Sequence, residues 1–166
     1  MPILLVIHIA EAFAIALAEW LDGLSPLRVR YARESETLPP FGVGGVLMAP
    51  AGSHLVVRDG KLHLTGDPER HARRPSVDVL FESVARERGA RAIACLLTGM
   101  GRDGAAGMLE AHRAGAFTIA QDQATSVVFG MPAEAIRLGA ADRILALEQI
   151  APTLVESVQP ALRRGV

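Results

Sequence analysis

The run Ala92-Ile93-Ala94-Cys95-Leu96-Leu97-Thr98-Gly99-Met100-Gly101-Arg102-Asp103-Gly104 carries an unbroken apolar segment into a glycine-rich turn. Behind the turn, Ala105–Arg113 has helical periodicity. An apolar run with no polar alternation fits a strand covered on both faces, and strand–turn–helix units of that kind build parallel sheets flanked by helices. The pattern continues upstream. Pro2–His8 reads as a strand and Glu11–Leu21 as a helix, with further strands at Leu27–Ala32 and Val46–Ala49, the latter ended by Pro50-Ala51-Gly52. His54–Val57 and Leu62–Thr65 flank Arg58-Asp59-Gly60-Lys61, whose Asp-Gly pair predicts a hairpin. Gly66–Pro75 is polar and irregular, a surface loop. Pro75-Ser76 then starts a helix in which Val77, Leu80, Phe81, Val84 and Ala85 recur at helical spacing. Downstream, Phe117–Gln121 reads as a strand, with short helices on either side of Gly130-Met131-Pro132. A strand around Ile144 and a helix from about Gln149 close the chain. The predicted fold is α/β: a doubly wound, mostly parallel sheet flanked by helices, Rossmann-like, with a small β-hairpin.

The 166 residues suit one domain, and half of them are hydrophobic, enough for a core without disulfides or metals. Net charge is −1, and the 17 basic residues form no long run, which argues against nucleic acid or an anionic membrane as the main partner. The single Cys95 lies within an apolar run and reads as a small buried hydrophobe, with no hint of an oxidising compartment. Met1–Leu21 is apolar enough to mimic a signal peptide. It has no basic start, and His8, Glu11 and Glu19 interrupt it before the ~20 residues that a membrane span needs. A cytoplasmic protein without membrane insertion is expected.

Three readings compete for the glycine turn. Gly99, Gly101 and Gly104 match G-x-G-x-x-G, and Asp122 follows 18 residues after Gly104, which is most of a dinucleotide fingerprint. Against it, Asp103 would bring a carboxylate to a loop that must approach a pyrophosphate. In the second reading Asp103, at a strand's carboxyl end beside a helix amino terminus, orients an imidazole and stabilises the imidazolium formed during proton transfer. The glycines would then turn backbone N–H groups toward an oxyanion. In the third, Asp103 caps its own helix. His8, ending the first strand, is either a satisfied core or edge residue or the base of that pair; its favour is its place at a strand's carboxyl end, where doubly wound folds put their sites. His54, His63 and His71 fit no metal-ligand spacing on one element and read as residues of surface loops and strand faces. Arg70, Arg73 and Arg74 read as a solvated loop, or as a contact for an acidic partner.

Several segments together resemble a known family: His71–Phe81, Leu97–Gly107, Thr118–Asp122, Val127–Pro132 and Ala49–Leu55, in that family's order. The chain is similar over about residues 2–155 to the catalytic domain of the chemotaxis protein-glutamate methylesterases, the CheB family. The resemblance implies a doubly wound α/β esterase that hydrolyses glutamyl methyl esters on the cytoplasmic helices of chemoreceptors, with glutamine deamidation in many members. It implies a Ser-His-Asp triad and no cofactor or metal. His8 takes the general-base position, Asp103 the orienting one, and the Met100 backbone N–H the oxyanion hole. Residues 1–160 are expected to form the catalytic domain, amino-terminally incomplete, with 161–166 a tail, frayed from Arg163, and no receiver domain.

The chain departs from the family's pattern in three places. The family's nucleophile lies on a Gly-Ala-Ser-Thr-Gly-Gly turn one βα unit before the histidine, and only seven residues precede His8 here. The nucleophilic serine and the family's first strand are therefore expected to be absent, and the chain inactive alone. Ser25, Ser35, Ser53, Ser76 and Ser126 lie in turns or loops, none on a Gly-x-Ser-x-Gly elbow. Ile7 stands where the family often has a polar residue. The first helix, Glu11–Leu21, is apolar nearly all round, a composition normally buried. It suggests a second reading: a non-catalytic receptor- or partner-binding protein, self-associating through that helix into a homodimer.

Overall fold

The structure, a computed structural model, describes residues 1–40 and 42–163. Its elements are β1 (Pro2–Leu5), α1 (Glu11–Leu24), β2 (Val29–Tyr31), β3 (Glu36–Thr37), β4 (Gly45–Met48), β5 (His54–Arg58) and β6 (Lys61–Thr65). They continue with α2 (Val77–Arg88), β7 (Ile93–Leu96), α3 (Ala105–Arg113), β8 (Phe117–Gln121), α4 (Met131–Arg137), β9 (Arg143–Leu145) and α5 (Leu147–Arg163). Of the expected tail, residues 161–163 continue α5, and 164–166 lie outside the described residues.

The α/β architecture is the one the apolar runs predict. The parallel strands form two three-stranded sheets, ordered β1-β4-β2 and β7-β8-β9. Among the described residues β1 pairs only with β4, and β7 only with β8. The predicted hairpin β5–β6 gains β3 on its outer edge, through Glu36 opposite Leu62 and Thr37 opposite Lys61. A two-residue strand in polar sequence has no periodicity to betray it. Only one helix forms near Gly130. The segment before it is held as a turn, with Asp122 Oδ1 accepting the Thr125 N–H and hydroxyl at 2.9 and 2.7 Å, a local bonding pattern that competes with helix.

Helix α2 sets the geometry of the molecule. Leu80 enters one core cluster with Leu47, Leu55, Val57 and Leu62, while Val77 enters another with Leu96, Ala105, Met108 and Met131. Covered on two sides, α2 has little freedom to rotate, and its first turn is aimed at the carboxyl end of β7. Full burial of a side chain such as Leu55 or Leu62 stabilises by about 1.5–3 kcal/mol.

Helix α1 departs from expectation. Ala14 and Ala18 are buried, and the helix packs against Val29 and Met48 with help from Leu17 and Leu21. Phe13, Ile15, Trp20 and Leu24 stay exposed, Trp20 at 61%. The helix rests on its sheet through one face only, so its other apolar side chains have nothing to pack on.

Candidate active site

His8 lies three residues beyond the end of β1, and Asp103 lies at the end of the loop that follows β7. The fold brings them together: His8 Nε2 is 2.9 Å from Asp103 Oδ2, across a sequence separation of 95 residues. Asp103 is 2% exposed. Its Oδ1 accepts the Ser76 hydroxyl at 2.6 Å and the Asp78 N–H at 3.1 Å, and its Oδ2 accepts the Val77 N–H at 2.8 Å. Burial pushes this carboxyl up, but the bonds from His8, Ser76, Val77 and Asp78 outweigh burial and hold it at about 2. The carboxylate therefore stays ionised, helped by the positive end of the α2 dipole.

Contrary to the third reading, Asp103 does not cap its own helix. Its own helix, α3, starts at Gly104 in the left-handed conformation with no side-chain cap. Asp103 instead takes two backbone N–H groups at the start of α2, a helix 26 residues upstream. An ionised Asp103 can only accept, so His8 carries its proton on Nε2 and presents the lone pair of Nδ1 for proton transfer.

The loop between β7 and α3 is rigid for two reasons. Gly104 has φ +91°, and a Cβ there would meet Val77 Cγ1 at 2.7 Å and Leu96 Cδ1 at 2.8 Å. From outside, Gly130 presses its backbone on the loop: a Cβ on it would lie 2.7 Å from the Gly99 carbonyl oxygen and 2.9 Å from the Gly101 nitrogen. Gly99 donates to the Val128 carbonyl and accepts from Gly130 and Met131, while Thr98 N–H donates to buried Gln121 Oε1 at 2.8 Å. Met100 stands out at 75% exposure, and no described residue accepts its backbone N–H. A fixed loop with an uncommitted N–H at a strand's carboxyl end can donate to developing negative charge.

The other residues singled out in the sequence are scattered. His54 opens β5, on a strand as its sequence reads, and is fully buried. Its burial is tolerated because both ring nitrogens are paired, with the Ser76 N–H at 3.1 Å and the Pro68 carbonyl at 3.2 Å. His63 pairs with Glu34, Arg70 with Glu82, and Arg74 bonds the Gly66 and Asp67 carbonyls. Cys95 lies on β7, where burial pushes its thiol up to about 11.

His71 bonds Asp78 at 3.0 Å and accepts from Arg102 Nε at 3.2 Å, while Asp78 Oδ1 accepts the Gly107 N–H. His71, Asp78 and Asp103 bring three ligand-type atoms within 4.8 Å of one another. Every oxygen of the two carboxylates already accepts a hydrogen bond, and the Arg102 guanidinium sits against His71. The set behaves as a hydrogen-bond network rather than a cation cradle.

Among the described residues no serine hydroxyl bonds His8. Ser126 donates to the Asp122 carbonyl at 2.7 Å, Ser83 to Leu80 and Ser157 to Thr153. Ser76 donates to Asp103, a role that the sequence hid because Pro75-Ser76 already explains itself as a helix start.

A family model described as CheB methylesterase matches residues 1–154. The chain is 49% identical over 158 residues to protein-glutamate methylesterase/protein-glutamine glutaminase 2 of Burkholderia pseudomallei (strain 1710b), covering 95% of this chain and 45% of that protein. It is 48% identical over 163 residues to protein-glutamate methylesterase/protein-glutamine glutaminase 1 of Xanthomonas oryzae pv. oryzae (strain MAFF 311018), again covering 95% and 45%. The chain thus spans about half the length of the curated relatives it matches. Its structure is similar to the CheB methylesterase catalytic domain of Thermotoga maritima, with a TM-score of 0.87 and 36% identity, covering 95% of this chain and 84% of that one.

Proposed function

The chain belongs to the CheB methylesterase family, and from that premise we propose that it supplies the proton-transfer half of a protein-glutamate methylesterase acting in chemotaxis. The observation that carries this reading is the His8–Asp103 pair, 2.9 Å apart at the carboxyl ends of β1 and β7, beside a loop with a free Met100 N–H. A serine hydroxyl attacks the glutamyl ester carbonyl and His8 Nδ1 accepts its proton. Asp103 stabilises the resulting imidazolium, and the Met100 N–H donates to the oxyanion. Collapse of the intermediate returns the proton to the departing methoxide, which leaves as methanol. Water then attacks the acyl-enzyme by the same route, releasing the glutamate carboxylate and regenerating the serine. The same residues serve glutamine deamidation, with ammonia leaving in place of methanol.

No described serine hydroxyl bonds His8, so on this reading the nucleophile is supplied from outside the described residues and the chain alone is inactive. The substrate is the methylated cytoplasmic helices of chemoreceptors, and the site of action is the cytoplasm. No described helix is long and apolar enough to cross a membrane. Release of labelled methanol from methylated receptor membranes tests the reading. The protein isolated from its native cells releases methanol, and His8→Ala or Asp103→Ala reduces release at least 10²-fold, the usual scale of a proton-transfer contribution. Variants that keep wild-type release overturn the assignment.

One observation favours a second reading, a binding role. Phe13, Trp20 and Leu24 leave an apolar stripe on α1 uncovered, suited to homodimer formation or a partner helix. Sedimentation decides it: a dimer broken by Trp20→Glu supports the binding role, and a monomer at tens of micromolar refutes self-association.

A further inference from the structure

We propose that Ser76 and His54 are positioning residues of the same site: a buried chain His54–Ser76–Asp103–His8 holds the carboxylate, and through it the imidazole, in one orientation. The inference rests on the esterase reading above. It links β5, the start of α2, the loop after β7 and the segment that follows β1.

Each bond in the chain has a fixed direction. Ser76 N–H donates to His54 Nδ1 at 3.1 Å, so Nδ1 must carry a lone pair. The one remaining ring proton is on Nε2 and donates to the Pro68 carbonyl at 3.2 Å. A single neutral tautomer of His54 satisfies both partners, and no other does. Ser76 has one hydroxyl proton, and it goes to Asp103 Oδ1 at 2.6 Å, while its oxygen accepts the Val79 N–H at 3.5 Å. Asp103 Oδ2 then faces His8.

Helix capping alone does not explain this arrangement. A cap needs only an acceptor facing the first turn, and Ser76 provides that through a long 3.5 Å bond. Its short bond is the one to Asp103, where a hydroxyl meets an ionised oxygen. His54 and Ser76 are both 0% exposed, and burying an imidazole is costly unless both nitrogens are paired. Here the histidine fixes the backbone of the very residue whose hydroxyl fixes Asp103. Remote groups that lock the orientation of a contacting residue are how a site is kept within a few tenths of an ångström of its working geometry.

The test uses carboxyl ¹³C and imidazole ¹⁵N resonances of the full chain, which report without any turnover. Ser76→Gly keeps a competent N-cap, since glycine is nearly as good a cap as serine, but removes the hydroxyl. The Asp103 titration midpoint is then expected to rise by about one pH unit or more, as for loss of a hydrogen bond to a charged group. The amide shifts of α2 should stay in place. An unchanged Asp103 midpoint in folded Ser76→Gly overturns the proposal.

The wild-type chain gives a second, variant-free readout. The ¹⁵N shifts of His54 must show Nε2 protonated and Nδ1 bare, and the reverse tautomer overturns the proposal even if Ser76→Gly does not fold. In the native protein, Ser76→Gly should lower kcat about tenfold or more with KM unchanged. If His8→Ala abolishes methanol release while Asp103 is indifferent to Ser76→Gly, the positioning chain fails and the esterase reading stands. If the resonances behave as expected and no methanol is ever released, the esterase reading fails instead.

Discussion

Asp103→Asn keeps the shape of the side chain that joins β7 to the start of α2 and removes its charge. Folding lowers the Asp103 carboxyl from 3.8 to about 2. At 1.36 kcal/mol per pH unit, that difference makes the ionised carboxylate worth about 2.5 kcal/mol of folding stability at neutral pH. Because the folded carboxyl has the lower value, the unfolded chain binds more protons between the two. The contribution is therefore complete above pH ~5 and is lost as pH falls through the window from 3.8 to about 2. Linkage with these values puts the loss at about 1 kcal/mol by pH 3. Asparagine cannot titrate, so the gap between wild-type and Asp103→Asn stability should narrow by about 1 kcal/mol between pH 5 and pH 3. Urea unfolding of both proteins at several pH values in that range measures the gap. A gap that stays constant would mean that the bonds from His8, Ser76, Val77 and Asp78 do not favour the ionised form, and the electrostatic account of the site would fall with it.

Further consequences can be checked separately. Gly130→Ala puts a Cβ 2.7 Å from the Gly99 carbonyl oxygen and 2.9 Å from the Gly101 nitrogen, both backbone atoms. It should cost about 1–3 kcal/mol in urea unfolding, on the scale of overpacking a tight site, and wild-type stability would refute the close approach. His8 should show a protonated Nε2 and a bare Nδ1 by ¹⁵N NMR when neutral; the opposite tautomer would contradict the orientation described. The Cys95 thiol, pushed up to about 11, carries almost no thiolate at pH 8. It should react with a thiol reagent far more slowly than an exposed thiol at the same pH, and a rate equal to that of an exposed thiol would contradict the raised value.

Where periodicity is strong the fold was legible. Ala105–Arg113 and Phe117–Gln121 form the helix and strand that their patterns predict, residue for residue. Strand ends were not: the apolar run Pro2–His8 continues past the end of β1 at Leu5, because composition does not say where pairing with β4 stops. The His8–Asp103 pairing could be anticipated from strand-end positions and family resemblance. The role of α2 could not. That a helix beginning at Val77 would lend its first two N–H groups to a carboxylate 26 residues later depends on how α2 seats between two core clusters, which no local pattern records. The burial of His54 could not be read either: its place at the start of a strand was legible, but its two partners, Ser76 and Pro68, come from segments 22 and 14 residues away.

A serine-directed fluorophosphonate probe on the protein isolated from its native cells, with the labelled peptide mapped by mass spectrometry, tests the central claim most directly. On the proposed reading, His8 and Asp103 are the proton-transfer pair for a serine hydroxyl supplied from outside the described residues. The account predicts a label on a serine outside residues 1–166, lost or slowed at least 10²-fold in His8→Ala. A label on Ser126, or labelling indifferent to His8, would contradict it.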